Sequence, residues 1–109
     1  MALAGEGVVS VGVRVTRGAA ANDQIMRGLF AAENCPHPRK WSGGSGQTYD
    51  WHTHGYHKVL FCLAGEIVFQ DREGLNYRVG AGDRLDVEAG TEHSAVAGSD
   101  GVECMESFK

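Results

Sequence analysis

The sequence predicts an all-β fold with one short helix near its N-terminus, and three observations support that prediction. From Thr48 onward, turn residues recur every eight to twelve positions, a spacing typical of β-sandwiches and β-barrels. The chain contains 16 glycines and only two prolines, which suits a backbone that turns often. A single segment carries apolar residues at helical spacing, so we expect one helix.

The first predicted strand is the segment VVSVGVRVT. Its valines alternate with other residues, and this period of two predicts one half-buried strand across Val9, Val11, Val13 and Val15.

The predicted helix follows in the segment AANDQIMRGLFAAENCPHP. Asn22 or Asp23 can cap its start, and Pro36 and Pro38 end it. The residues at helical spacing are Met26, Leu29, Phe30 and Glu33.

The glycine-rich segment WSGGSGQ that comes next is interpreted as a loop. No Lys-Ser/Thr pair follows its glycines and no helix opens after it, so a phosphate-binding loop is excluded. Beyond it we predict seven strands: QTYDWHTH, KVLFCL, GEIVFQ, LNYRV, DRLDVE, EHSAVA and GVECMESF.

Length and composition narrow the function classes. A chain of 109 residues with 42% hydrophobic and 22% charged residues predicts one folded domain over residues 1–109. The net charge is −4 and the ten basic residues are scattered, which disfavours a nucleic-acid partner. No apolar stretch approaches the roughly 20 residues that cross a membrane, and MALAGEGVVS lacks the pattern of a signal peptide. We therefore expect a cytoplasmic protein.

The three cysteines are not expected to form a disulfide framework, because their number is odd and no C-x-x-C pair is present. Cys62 and Cys104 are predicted to be small buried residues within strands.

Histidines are crowded in the segment DWHTHGYHKVLFCLAGE. On a strand, His52 and His54 would share one face with Cα atoms roughly 6.6 Å apart, so both could bind one metal ion. His93, at the start of a later predicted strand, could complete a three-imidazole site with open coordination positions. Taken alone, a His-x-His pair is a weak signal, and an exposed or packed histidine pair is the alternative.

These segments resemble the two motifs of the cupin superfamily. The first, G-x5-H-x-H-x3,4-E-x6-G, is matched by Gly46, His52, His54 and Gly65, and the second, G-x5-P-x-G-x2-H-x3-N, by Gly82, Gly90 and His93. The resemblance covers residues 46–97, the motif core of the expected cupin domain. It implies a double-stranded β-helix, a barrel of jelly-roll type, often dimeric. It also implies one divalent metal ion (Fe, Mn, Ni, Zn or Cu) held by His52, His54 and His93.

Three positions depart from the family pattern: Lys58 replaces the motif Glu, Glu88 the Pro and Ala97 the Asn. Lys58 matters most, because a protonated amine has no lone pair to donate to a metal. Four interpretations stay open: a three-His site with Lys58 turned away, His57 as a fourth ligand, Lys58 as a catalytic or substrate-binding group in the cavity, or a site without metal. The simplest structural alternative is a lysine whose ammonium reaches water.

Three aromatic residues near the His pair, Tyr49, Trp51 and Tyr56, are further candidates for ligand contact, with core or rim packing as the alternative. Met105 and Phe108 are predicted to be core residues. The functional hypothesis is a metal-dependent cupin that acts on a small, anionic metabolite, as a dioxygenase or an isomerase. The alternative is a non-catalytic ligand-binding or sensor cupin with a structural metal or none.

Overall fold

Eight antiparallel strands and one helix make up the described part of the chain, which in this computed structural model is residues 6–10 and 12–109. The strands are β1 (Glu6–Ser10), β2 (Val13–Thr16), β3 (Arg39–Gly43), β4 (Thr48–His52), β5 (Lys58–Asp71), β6 (Asn76–Gly80), β7 (Arg84–Val87) and β8 (His93–Phe108). The helix α1 spans Asp23–Ala32. The predicted all-β class with one short helix is therefore confirmed.

The N-terminal prediction of one strand is wrong, because β1 and β2 form an antiparallel pair. Gly12 lies between them with φ of +86°, a conformation that glycine adopts without a steric penalty and that lets the chain reverse. The alternation does hold within β2, where Val13 and Val15 are buried and Arg14 is exposed. Val11 lies outside the described residues.

The predicted helix is present and its start is capped by Asn22, but it ends at Ala32, before the prolines, because Asn34 has left the helical conformation with φ of +59°. The Asn22 side chain accepts a hydrogen bond from the main-chain N–H of Ile25 at 3.0 Å, which satisfies one of the free donors at a helix N-terminus. Met26 and Phe30 are buried on its inner face, and the Phe30 ring lies edge-on to Phe61 with centroids 5.1 Å apart.

Two long strands organise the sheet, and each contains two of the predicted strands. β5 and β8 pair along their lengths, from Lys58 opposite Phe108 to Asp71 opposite His93, with register shifts near Gly65. Gly65 has φ of +73° and a Cβ there would meet the carbonyl oxygen of Gly101. The breaks predicted between KVLFCL and GEIVFQ (around 63–66) and between EHSAVA and GVECMESF (98–101) are therefore irregularities inside continuous strands, because a bulge bends the ladder without ending it.

The bend divides the neighbours of the two long strands into two groups. The first half of β5 pairs with β7 and its second half with β6, while the first half of β8 pairs with β4 and its second half with β3. The result is an antiparallel β-sandwich of jelly-roll type with strand order β1-β2-β7-β5-β8-β3, onto which β4 and β6 are paired.

The glycine-rich segment is not wholly a loop. Trp41–Gly43 belongs to β3, which pairs with β8 through Trp41 opposite Cys104 and Gly43 opposite Val102. Sequence reasoning missed this strand because the glycines that follow it were taken to set the character of the whole segment.

Two apolar clusters lie on the two sides of β5. The inner cluster fills the sandwich and includes Leu60 and Cys62, whereas the outer cluster joins Phe61 to the helix. Met105 is fully buried as predicted, but Phe108 is 43% exposed, so its assignment to the core is wrong. Within the described residues, α1 is too short to cross a membrane and no other helix has the length or apolarity to do so.

Candidate metal centre

Three imidazoles meet at one end of the sandwich interior. His52 ends β4 and His93 begins β8, and the two residues lie directly opposite each other in the antiparallel register. The β4–β8 register shifts between Tyr49 and His52. Because of this shift, the side chains of Tyr49 and His52 both point inward although the two residues are three apart in sequence. The distant third histidine is thus brought to the first by strand pairing.

The sequence predicted His54 on a strand. In the structure it lies in the loop after β4 and reaches the same point from there. Its ring centroid lies 4.8 Å from that of His52 and 5.3 Å from that of His93, and the centroids of His52 and His93 are 4.3 Å apart. One ligand atom from each residue lies within 4.8 Å of the others, so the group could hold a metal ion.

Main-chain carbonyls fix the orientation of two of these rings. Nδ1 of His52 lies 2.6 Å from the carbonyl oxygen of Asp50, and Nδ1 of His93 lies 2.8 Å from that of Thr91. Because a carbonyl only accepts, each Nδ1 must carry the proton, and each Nε2 then presents a lone pair. Such an outer hydrogen bond is the usual support of a metal-binding histidine.

The Nε2 atoms of His54 and His93 are buried and have no hydrogen-bond partner within the described residues. A buried polar atom without a partner carries a desolvation cost of about 1–3 kcal/mol. Two such atoms facing a common point fit the donor set that a divalent metal ion requires.

The surroundings of His54 and His93 favour the neutral form of both rings. Burial lowers the pKa of His93 to about 4, with smaller contributions from His52 and Lys58. Burial and the nearby Lys58 ammonium also lower the pKa of His54. A neutral ring is the form that binds metal.

Lys58 faces the inside of the sandwich and does not reach freely into water. It is only 7% exposed and shares the inner face of β5 with Leu60 and Cys62. Its ammonium lies 3.4 Å from Oε1 of Glu106 and is close enough to the imidazoles to affect the pKa of His54 and of His93. The interpretation of Lys58 as a surface lysine is therefore wrong.

Sequence reasoning missed Glu106 and Trp41. Oε1 of Glu106 accepts a 2.6 Å hydrogen bond from Nε1 of Trp41 and faces the Lys58 ammonium. The available signal was the position of Glu106 two residues after Cys104 on a strand with a buried face, where a carboxylate needs a partner.

The three aromatic candidates occupy different places. Tyr56 stacks on the His54 ring with centroids 4.8 Å apart and an interplanar angle of 27°. Tyr49 packs against the inner cluster, and its hydroxyl is buried without a hydrogen-bond partner within the described residues. Trp51 does not line the interior, because it faces outward beneath Arg72, whose guanidinium lies 3.8 Å from the ring centroid.

His57 lies on the other face of the sheet, as strict alternation with Lys58 requires. Its Nε2 atom is 2.8 Å from Oδ1 of Asp86, and it does not join the three-imidazole group. Asp86 also binds Arg84, which pairs with Glu33 from the end of the helix. We call these four residues the outer charge network; they line part of a cavity of about 700 Å³.

Comparison with known structures gives the same fold. A cupin superfamily protein from Desulfitobacterium hafniense is 15% identical, with a TM-score of 0.57 over 93% of this chain and 70% of that one. A DUF861 family protein from Thermotoga maritima is 12% identical, with a TM-score of 0.62 over 89% and 99% of the two chains.

A third similar structure is the DMSP lyase DddQ from Ruegeria pomeroyi. It is 17% identical, with a TM-score of 0.57, and the match covers 92% of this chain but only 39% of the lyase. At these identities the likeness shows the fold alone. No curated protein matches the sequence.

The sequence itself also matches a family model. The model described as "Cupin domain" spans residues 42–105, a range that includes the three converging histidines and most of β5 and β8. The chain belongs to the cupin family.

Proposed function

We propose that this chain is a metal-binding cupin that holds one divalent ion through His52, His54 and His93 and acts on a small anionic metabolite, as a dioxygenase or an isomerase. The observation that carries the proposal is the pair of buried, unpartnered Nε2 atoms of His54 and His93 beside the ring of His52. The ion would be Fe, Mn, Ni, Zn or Cu, since imidazole suits all five. When bound, it would supply Lewis acidity toward a substrate oxygen.

The position of Lys58 supports the proposal that the substrate is anionic. Its ammonium has three donors, and Glu106 faces it at 3.4 Å, which leaves donors for a substrate carboxylate. The Trp41 hydrogen bond holds Glu106 in place, so we propose Glu106 as a positioning residue for Lys58. The family Glu is thus replaced by a cation that binds substrate instead of metal.

A route for the substrate is supported by a cavity of about 310 Å³ that reaches Glu106 from the surface. Tyr56, which stacks on His54, forms one wall, and Arg39 and His37 line the same cavity. The cationic Arg39 side chain at the approach favours an anionic molecule.

Elemental analysis of the purified protein tests the metal first. We expect one equivalent of a divalent metal per chain, and metal-free protein that takes up none on reconstitution would contradict the proposal. The metal-loaded protein is then assayed for oxygen uptake or isomerisation with a panel of diketones, thiols and hydroxy-acids.

Variants at Lys58 test the substrate class. Lys58→Met should keep the metal but raise KM for an anionic substrate by roughly 10–100-fold, which corresponds to the loss of one charged hydrogen bond of about 1.5–3 kcal/mol. Glu106→Gln should have a smaller effect on KM. A protein that retains metal, is stabilised by a metabolite and yields no product is instead the non-catalytic sensor cupin.

We also propose that residues 1–109 act as one cupin domain in a cytoplasmic homodimer. The position of β1 at one end of the strand order supports an intermolecular contact, because an edge strand leaves main-chain groups unpaired. Light scattering after size-exclusion chromatography gives the mass, and cell fractionation gives the location. A strictly monomeric mass would contradict the dimer.

A further inference from the structure

Two cysteines face each other inside the sandwich, away from the three imidazoles. Cys62 on β5 and Cys104 on β8 are direct cross-strand partners. Both are 0% exposed, both are free thiols, and both belong to the inner apolar cluster. Two thiols have therefore been placed side by side on the two strands that organise the fold.

The main-chain hydrogen bonds show which type of cross-strand pair the two cysteines form. The N–H of Cys62 donates to the carbonyl of Asp83 at 3.1 Å, and the carbonyl of Cys62 accepts from the N–H of Gly82 at 2.9 Å. Cys62 therefore exchanges no main-chain hydrogen bond with Cys104, which makes the two a non-hydrogen-bonded pair. Cα atoms in such pairs lie about 4.5 Å apart, within the 4.4–6.8 Å range of disulfides.

We propose that Cys62 and Cys104 are an oxidation site, at which a hydroperoxide converts the facing thiols into a reversible intramolecular disulfide. The sulfur of one cysteine attacks the O–O bond of hydrogen peroxide, which gives a sulfenic acid and one water. The second sulfur then attacks the sulfenic sulfur, the S–S bond forms as the S–O bond breaks, and a second water leaves. Two thiols and one hydrogen peroxide thus give one disulfide and two waters.

The two facing thiols change each other's pKa. The hydrogen bond from the Cys104 thiol lowers the pKa of Cys62 and raises that of Cys104. Because the two cysteines are direct cross-strand partners, a sulfenic acid formed on one sulfur lies beside the other thiol and meets it before a second peroxide. The product is then a disulfide and not a sulfinic acid.

The disulfide would join β5 to β8 near the candidate centre. Lys58 lies on β5, and His93 and Glu106 lie on β8. A covalent link at Cys62 and Cys104 would restrict the separation of these strands. We therefore expect the oxidised protein to melt at a higher temperature than the reduced protein.

The test is thiol counting in the folded protein. Reduced protein is treated with hydrogen peroxide, unfolded in the presence of an alkylating agent and weighed by mass spectrometry. We expect oxidised protein to lose two of its three alkylatable thiols, peptide mapping to find Cys62 joined to Cys104, and dithiothreitol to restore both thiols.

Cys35 provides the matched control, since it is buried in the outer cluster beneath the helix and not in the inner one. Cys35→Ala should form the disulfide as wild type does, whereas Cys62→Ala and Cys104→Ala should not. Protein oxidised after unfolding in urea should give mixed pairings that include Cys35. A disulfide to Cys35 in folded wild-type protein, oxygen added to single cysteines, or no thiol loss would each overturn the proposal without bearing on the metal site.

Discussion

The polar side chains on the two faces of the sheet differ in whether they have hydrogen-bond partners. On the outer face, Arg84 donates hydrogen bonds to Glu33 and Asp86, and Asp86 is also hydrogen-bonded to His57. On the inner face, Nε2 of His54 and Nε2 of His93 are buried but have no hydrogen-bond partner among the described residues.

This difference distinguishes a structural cluster from the candidate metal centre. Each member of the outer charge network has a hydrogen-bond partner within it, so no bound ion is needed to pair these groups. The inner imidazoles carry the desolvation cost of unpaired polar atoms, and a bound ion would remove that cost. Whether a histidine is a candidate metal ligand is therefore judged from its hydrogen bonds and not from the volume of the cavity beside it.

The largest expected effect is on metal-dependent stability. With metal at about 1,000 times its dissociation constant, wild-type protein should gain about 4 kcal/mol of unfolding free energy. His93→Gln should abolish that gain, because Gln lacks the imidazole lone pair, while His57→Gln should retain it. Thermal unfolding with and without metal measures both, and equal losses in the two variants would break the distinction between the faces.

Removal of Arg84 should have the next largest effect, and on folding alone. Arg84→Ala leaves Glu33 and Asp86 without their shared partner, and the Arg84 side chain is only 14% exposed. We expect a loss of about 3 kcal/mol, the low end for a broken buried pair, because Glu33 is partly exposed. Denaturant unfolding measures it, and metal content should not change.

The matched control for Arg84 is Arg72→Ala, which removes an exposed ion pair with Glu92. Because Arg72 also lies over the Trp51 ring, we expect a small loss of stability, well below that of Arg84→Ala. If both arginine variants lose the same stability, the outer charge network is no more than a set of surface ion pairs.

An effect of at most similar size is expected on the acid limb of stability in metal-free protein. His93 has a pKa of about 4 when folded and about 6.5 when unfolded, so the unfolded chain binds a proton first. Stability should fall as the pH drops from about 6.5 to 4, by about 3 kcal/mol at most. Denaturant unfolding in chelator measures this, and His93→Gln should reduce the loss of stability in that window, with His54, whose pKa is also lowered, supplying the remainder.

The outer face should respond in a different window. Arg84 lowers the pKa of Glu33 to about 2 from its usual 4.5, so that carboxylate stabilises the fold above about pH 4.5. Its contribution should disappear between about pH 4.5 and 2. If the Arg84→Ala variant keeps that lower window unchanged, the assignment to Glu33 is wrong.

Local patterns in the sequence predicted much of the molecule. The helix and its Asn22 cap, the burial of Cys62 and Cys104, and the alternation of Val13 and Val15 follow from short-range spacing. The strand boundaries at 63–66 and 98–101 did not follow, because Gly65 and its neighbours signal a turn and a bulge equally well.

The site was predicted in part for a similar reason. The motif spacing named His52, His54 and His93, and their rings lie close together in the structure. The partners of Lys58 were not predictable, because Glu106 and Trp41 are far from it in sequence and near it only through the pairing of β5, β8 and β3. The outward orientation of Trp51 depends on the register shift in β4, which no spacing rule in the segment reveals.

The sequence by itself determined the all-β class, the one helix and the identity of three candidate imidazole ligands, since periodicity, capping and motif spacing act within a few residues. The tertiary structure alone decided that Lys58 is buried beside a carboxylate, that His57 faces away and that two thiols meet across β5 and β8. Those outcomes depend on which strands become neighbours and in what register, and a one-residue slip would reverse the face of every side chain.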